Sequence, residues 1–238
     1  MSETPIIVRT LCDEGFSAFL TNFIHFKRPR KLVIVKYAGS DFTNYQRTVM
    51  EGLSLRGWHF VVTEAQLGDE RSCYATYRYI LDHSITKFFL VDDDVICPEK
   101  GYDLLESLSQ PRTIVAYATW NLHLNDYSWE TKNAGDKMII NPHPALFNLD
   151  RVVKDPDLEN LDDINEFQGG WAILILVLSR YVDSVIAVKA KDLSIHIRFP
   201  REASRWRNIG QLNFDALLRR CIEKYNPNYR CEFIEVEV

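Results

Sequence analysis

Apolar positions in the first half of the chain switch repeatedly between two spacings. Pro5–Leu11 is a short apolar run of strand type, and Phe16, Phe19, Leu20, Phe23 and Ile24 follow it at the i, i+3, i+4, i+7, i+8 spacing of one helical face. Lys31–Ala38 reads as a β-branched strand, Gly39-Ser40-Asp41 as a turn, and 44–55 as a helix that stops before Gly57. Trp58–Thr63 predicts a third strand. A helix over 70–83 carries Cys73, Tyr77, Ile80 and Leu81 on one face. Lys87–Val91 predicts a fourth strand, Pro98 opens a helix through Leu108, and Thr113–Thr119 predicts a fifth strand. Such alternation implies an α/β fold with a mostly parallel central sheet flanked by helices on both faces. Right-handed crossovers then bring the loops that follow the strands to one edge.

The second half is less regular. Residues 121–148 are rich in aromatic, Asn, His and Pro positions and read as loops and short strands. Asp150, Asp155, Asp157, Glu159, Asp162, Asp163 and Glu166 make 150–166 acidic, and Gly169-Gly170-Trp171 opens an apolar run, Ala172–Leu178, read as a strand. Residues 180–230 turn basic, with eleven Lys/Arg against five Asp/Glu, and 212–225 carries the last strong helical pattern. Neither a repeat nor a Gly/Ser linker interrupts the chain, so one domain over 1–238 is expected, with a regular half (1–120) and an irregular half (121–238).

Composition narrows the class. Hydrophobic residues make up 46% and charged residues 26% of the 238, enough to bury a core, which excludes a disordered or fibrous chain. The net charge of −5 excludes a uniformly basic nucleic-acid coat. Cys12, Cys73, Cys97, Cys221 and Cys231 form no C-x-x-C pair, so neither a zinc knuckle nor a disulfide framework is expected, and a reducing, cytoplasmic location fits. The longest uncharged stretches, 113–125 and 167–179, fall short of the roughly 20 residues of a membrane span.

The sharpest chemical feature is Phe88-Phe-Leu-Val-Asp92-Asp93-Asp94. Three carboxylates at the carboxyl end of a buried strand repel one another, and desolvation adds to the cost of keeping them ionised. Ligands of open α/β sheets bind at that end, and a hard cation, Mg²⁺ or Mn²⁺, would relieve the repulsion. The segment Phe89–Pro98 resembles the D-x-D segment of nucleotide-sugar glycosyltransferases with the GT-A fold (family 2-like). Ile6-Ile7-Val8-Arg9-Thr10 resembles the first strand of that family, with Arg9 where the family has proline. Tyr37–Asp41 keeps the turn of its second strand without the acidic pair, and Gln168–Leu174 resembles its glycine-led segment.

The resemblance implies a metal-dependent transfer of a sugar from a nucleotide-diphosphate donor, a UDP- or GDP-sugar, to an acceptor hydroxyl. It places Asp92, Asp94 and the late histidine, His196, on Mn²⁺ or Mg²⁺. Thr10, Asp41, Arg71, Arg78 and Asp93 would contact the nucleotide, and Gly169, Gly170 and Trp171 would lie at the sugar and acceptor, which makes 1–120 the nucleotide-binding half and 121–238 the acceptor-side half. His123 and His143 are lesser metal candidates. The family's downstream E-D pair is missing, so Asp163 is the nominal catalytic base. The run Arg198–Arg207, with four arginines and two aromatics, admits a phosphate-bearing acceptor. Two other classes compete. A haloacid-dehalogenase-like phosphatase would use Asp92 as nucleophile, although that family carries its motif on the first strand. A nucleotide-binding protein on the same scaffold would have lost catalysis.

Overall fold

The computed structural model describes residues 4–118, 120–121, 126–127, 139–140, 143–163, 169–190, 193–196 and 211–236. The elements are β1 (Ile6–Thr10), α1 (Glu14–Asn22), β2 (Lys31–Tyr37), α2 (Asn44–Leu55), β3 (His59–Ala65), α3 (Asp69–Asp82), β4 (Lys87–Asp92), β5 (Val95–Ile96), α4 (Glu99–Leu108) and β6 (Thr113–Ala118). There follow β7 (Trp120–Asn121), β8 (Asp126–Tyr127), β9 (Ala145–Asn148), α5 (Pro156–Glu159), α6 (Gly170–Ser179), β10 (Ser184–Lys189), β11 (Ile195–His196), α7 (Gln211–Tyr225) and β12 (Glu232–Glu235). The large sheet runs β12-β10-β6-β9-β4-β1-β2-β3. Its pairings are parallel except at β9, which lies antiparallel between β4 and β6.

The two-residue period of the strands sorts their side chains into two cores. Ile7, Val33, Val35, Phe88 and Leu90 face Cys73, Tyr77 and Ile80 of α3, together with α6 and the Leu217, Leu218, Cys221 and Ile222 face of α7. Ile6, Val8, Leu32, Ile34, Phe89 and Val91 face Phe16, Phe19 and Leu20 of α1, Val49 and Leu53 of α2, and Tyr102 and Leu105 of α4. Helices therefore cover both faces, which is why β1, β2 and β4 read as continuous apolar runs rather than as alternation. β3, at the edge, alternates exposed and half-buried positions. Local chemistry sets the helix starts: Asp13 accepts Gly15 N at 2.9 Å before α1, and Thr43 with Gln46 forms a capping box before α2.

One element differs from the sequence reading. The run after Gly169-Gly170 is the helix α6, not a strand, and all ten of its residues are buried. An all-round apolar segment has no period to distinguish the two, but ten residues suit a helix better than a strand. α6 is sandwiched between the sheet, α3 and α7, so no face of it needs to be polar. Gly169 enters it at φ +78°, a left-handed conformation that glycine adopts without strain. Two sheet strands that the pattern alone did not reveal, β10 in the basic region and β12 after it, extend the sheet beyond β6.

A second, small sheet, β5-β11-β7-β8, starts directly after the Asp92–Asp94 triplet. In it His196 pairs with Val95 on one side and Asn121 on the other. All five cysteines are buried thiols outside any disulfide, and among the described residues no helix is long and apolar enough to cross a membrane.

Candidate functional site

The carboxyl ends of β1, β2 and β4 lie side by side, in register Arg9↔Asp92 and Thr10↔Lys36. Arg9 is the one charged side chain in β1 and is only 8% exposed. Its guanidinium reaches across the ladder, with Nη2 donating to Asp92 Oδ1 at 3.2 Å. Nη1 donates to Ser72 Oγ at 3.4 Å and to Cys73 Sγ at 2.9 Å, both in the first turns of α3. Tyr37, at the end of β2, donates its hydroxyl to Ser72 Oγ at 3.0 Å. The second oxygen of Asp92 lies 3.4 Å from His143 Nε2, in the segment that leads into β9. Ser194 Oγ in turn donates to the His143 carbonyl. Arg9 and His143, from two distant regions of the chain, thus meet the two oxygens of one carboxylate, and Ser72, Cys73 and Ser194 support them.

Asp93 is buried and Asp94 half-buried at the start of the turn into β5. The backbone register places His196 opposite Val95, one residue beyond Asp94. Among the described residues no three His, Cys, Asp or Glu side chains gather as a metal-holding group, and the description of His196 is confined to its backbone. Beside the triplet, Lys36 Nζ sits 2.9 Å from Glu64 and 3.9 Å from Asp41. The hydrogen bond to Glu64 outweighs desolvation and raises the Lys36 ammonium above its ordinary value. Cys12, at φ +59° in the loop after β1, is pushed up to about 12 by burial, against the opposing pull of Lys36, so it remains a thiol at neutral pH.

The residues singled out from sequence divide clearly. Asp92, Asp93, Asp94 and the His196 backbone share the carboxyl edge of β4. Thr10 is also there, but its buried hydroxyl accepts Cys12 N at 2.8 Å and so closes the loop into α1. Asp41 stands in the adjacent loop with its side chain 89% exposed. Arg71 is half-buried in the first turn of α3, beside Ser72. Arg78 is not at this edge: it lies two helical turns on, in an exposed pair with Asp82 at 2.9 Å. Trp171 is packed in the core, where the sequence reading expected a sugar- or acceptor-facing ring; α6 being a helix turns it inward. Asp163 is exposed at the end of a 3₁₀ turn, Asn160–Asp163, that packs against α3. Among the described residues no hydrogen bond or ion pair joins it to the triplet. Glu166, Gln168, His123 and the Arg198–Arg207 run lie outside the described residues.

Sequence reasoning underrated Arg9, Ser72 and His143. The signal for Arg9 was present: an arginine inside an otherwise apolar run must find a carboxylate or leave the sheet. The signal for His143 was not, because only the antiparallel return of β9 brings that segment to β4.

No protein-family model matches the sequence, and no curated protein matches it. Solved structures do. TarS residues 1–349 of S. aureus aligns with a TM-score of 0.56 at 10% identity, over 94% of this chain and 66% of that one. The same segment in complex with UDP-GlcNAc aligns with a TM-score of 0.54 at 9% identity, over 94% and 67%. A longer TarS chain gives 0.53 at 9% identity, and there the present chain spans only 39% of its length. At such identities the likeness is one of fold, and the fold is that of the GT-A glycosyltransferases.

Proposed function

We propose that this chain is a glycosyltransferase that moves a sugar from a nucleotide-diphosphate donor to an acceptor hydroxyl. The observation that carries the reading is the carboxylate triplet at the carboxyl end of β4, the edge at which open α/β sheets bind their ligands. A UDP-sugar is the favoured donor, because TarS structures of the same fold hold UDP-GlcNAc and UDP. The phosphatase alternative is disfavoured, since Asp92 ends the fourth strand of the chain rather than the first.

The donor chemistry at Asp94 suits a divalent cation: a half-buried carboxylate past the strand end, with the backbone of His196 paired beside it. It does not suit one at Asp92, whose oxygens face Arg9 and His143. Asp94 and His196 would hold Mn²⁺ or Mg²⁺, which supplies positive charge for the departing diphosphate. The nucleotide lies against the loop ends that carry Thr10, Asp41, Arg71 and Asp93. The sugar and acceptor would lie toward the Gly169-Gly170 turn that opens α6. Asp163 takes the proton from the acceptor hydroxyl as the bond between the anomeric carbon and the diphosphate breaks. A phosphate-bearing acceptor is the one that the composition of Arg198–Arg207 suits.

A thermal-shift series tests the reading, with UDP, GDP and their sugars each taken with and without Mn²⁺. A ligand that binds only the folded state adds about 2.7 kcal/mol at 100 Kd, which for a chain of this size is a Tm rise of roughly 5–10 °C. The expected result is a Mn²⁺-dependent rise with one nucleotide family, abolished in Asp94→Ala, whose unliganded Tm stays put. No shift with any nucleotide would overturn the assignment.

A further inference from the structure

We propose that Gln46 is a positioning residue: its side-chain amide ties the loop after β1 to the loop after β2 and so sets the spacing of the two loops that border the nucleotide. The proposal rests on the donor-site reading above. Gln46 is the third residue of α2 and is 0% exposed. Its Oε1 accepts Thr43 N at 2.9 Å, and its own backbone N donates to Thr43 Oγ1 at 3.2 Å, which completes the capping box at the end of the loop after β2. A glutamate would serve that box as well. What the amide adds is donation. Nε2 donates to Cys12 O at 3.0 Å, to Asp13 O at 2.9 Å and to Ser17 Oγ at 3.0 Å. Two N–H groups thus serve three acceptors on the turn from β1 into α1. The orientation of the amide is fixed, since Thr43 N can only donate and the two carbonyls can only accept.

The turn it holds needs such support. Cys12 stands at φ +59°, a left-handed conformation that costs energy in a residue with a Cβ and persists where the surroundings fix it. Thr10 Oγ1 accepts Cys12 N at 2.8 Å from the strand side, and Gln46 takes the Cys12 and Asp13 carbonyls from the α2 side. The loop after β2 is secured as well: Lys36 Nζ donates to Ser40 O at 2.5 Å, and Phe42 stacks on Phe16 of α1 with ring centroids 5.9 Å apart. Gln46 bonds to both loops, so it couples the position of Thr10 to that of Asp41, the residues of these loops assigned above to the nucleotide.

The test reads the loop first with no nucleotide present. Alkylation by iodoacetamide is followed at each cysteine by peptide mass spectrometry in wild type, Gln46→Glu, Gln46→Met and Thr43→Ala, with Tm recorded for each. Gln46→Glu keeps the acceptor that caps α2 and loses the donors to the loop, whereas Thr43→Ala weakens the cap and keeps the donors. Cys12, 5% exposed, should be alkylated about tenfold faster in both Gln46 variants, with Cys73, Cys97, Cys221 and Cys231 unchanged. Thr43→Ala should stay within about twofold of wild type at every cysteine. The same two Gln46 variants should raise the Kd for UDP about tenfold, and in turnover raise the donor KM with kcat little changed, while Thr43→Ala does neither. If Gln46→Glu does not fold, Gln46→Met decides. An unchanged Cys12 rate in a folded Gln46 variant would overturn the proposal, as would an equal rise in Thr43→Ala or an equal rise at all five cysteines. An unchanged Kd for UDP beside a released Cys12 would overturn it too, by cutting the loop from the nucleotide. If wild type binds no nucleotide at all, the donor reading falls, and the alkylation pattern still decides whether Gln46 holds the loop.

Discussion

Replacing Arg30 by methionine tests whether the second buried arginine holds α4 against the sheet. Arg30 precedes β2 and is 6% exposed. Its guanidinium donates to Glu106 through Nη1 at 3.0 Å and Nη2 at 3.2 Å, a two-pronged contact, and to Asp103 at 3.3 Å. It also lies over Phe89 at 5.6 Å and Tyr102 at 5.7 Å. Breaking a buried pair from one side costs about 3–5 kcal/mol, but Glu106 and Asp103 keep some solvent and lower that figure. Two ring contacts at partly desolvated sites add about 0.5–1 kcal/mol each, of which methionine recovers part by packing. The sum is about 3 kcal/mol, or a Tm fall of roughly 6–12 °C for a chain of this size. Glu106 supplies the pH dependence. Burial would raise its carboxyl, yet the Arg30 hydrogen bond and charge outweigh it and hold the group below the ordinary 4.5. A depressed carboxylate contributes stability above its unfolded pKa and loses it as pH falls through the folded one. The difference between wild type and Arg30→Met should therefore be full at pH 7 and shrink below pH 4.5. Urea unfolding at pH 7 and pH 4 measures both effects. A loss under 1 kcal/mol at pH 7, or the same loss at both pH values, would refute the argument.

Three further outcomes are expected. Tyr102→Phe removes a buried hydroxyl that has no hydrogen-bond partner among the described residues, so it should be neutral or stabilise by about 1 kcal/mol in urea unfolding; a loss beyond 1 kcal/mol would mean that the hydroxyl is bonded. Arg78→Ala breaks only an exposed i,i+4 pair, so stability should change by less than about 0.5 kcal/mol and nucleotide affinity by less than twofold. Asp163→Asn should lower kcat at least a hundredfold with little change in donor KM if Asp163 is the base; unchanged turnover would remove it from the mechanism.

Much of the fold was legible because its signals are local. The alternating units from β1 to β6 announce themselves through β-branched runs, helical spacing and turn residues, and the structure places α2 at the expected 44–55. The second half was not legible in the same way. α6 has no polar face, since sheet and helices surround it, so its sequence contains no period to read. β10 is a short apolar run between Ser184 and Lys189 inside a mostly basic stretch, and the two-residue strands of the small sheet are too short to show a pattern. For the site, Asp92–Asp94 was visible as a cluster in sequence. Its neighbours were not, because Arg9 and His143 meet Asp92 only through pairings of strands far apart in the chain, and Ser72 joins them through Arg9.

Arg9 and Arg30, the buried arginines among the described residues, show how position turns one chemistry to two ends. Both sit in apolar surroundings, and both are tolerated because carboxylates meet them. Arg30 lies at the amino-terminal side of β2, and its partners belong to α4, which buries its apolar face on the sheet. Nothing in that geometry opens on the edge crevice, so its effect is read in stability alone. Arg9 lies one residue from the carboxyl end of β1, and its partner is the last residue of β4, where the chain leaves the sheet. A charge fixed there sets the field for whatever binds at the strand ends, and it does so with a rigidity that the sheet register enforces. Removing Arg9 should thus change nucleotide affinity, read in the thermal-shift series, as well as stability, while removing Arg30 should change stability only; that contrast separates a site residue from a structural one of the same type.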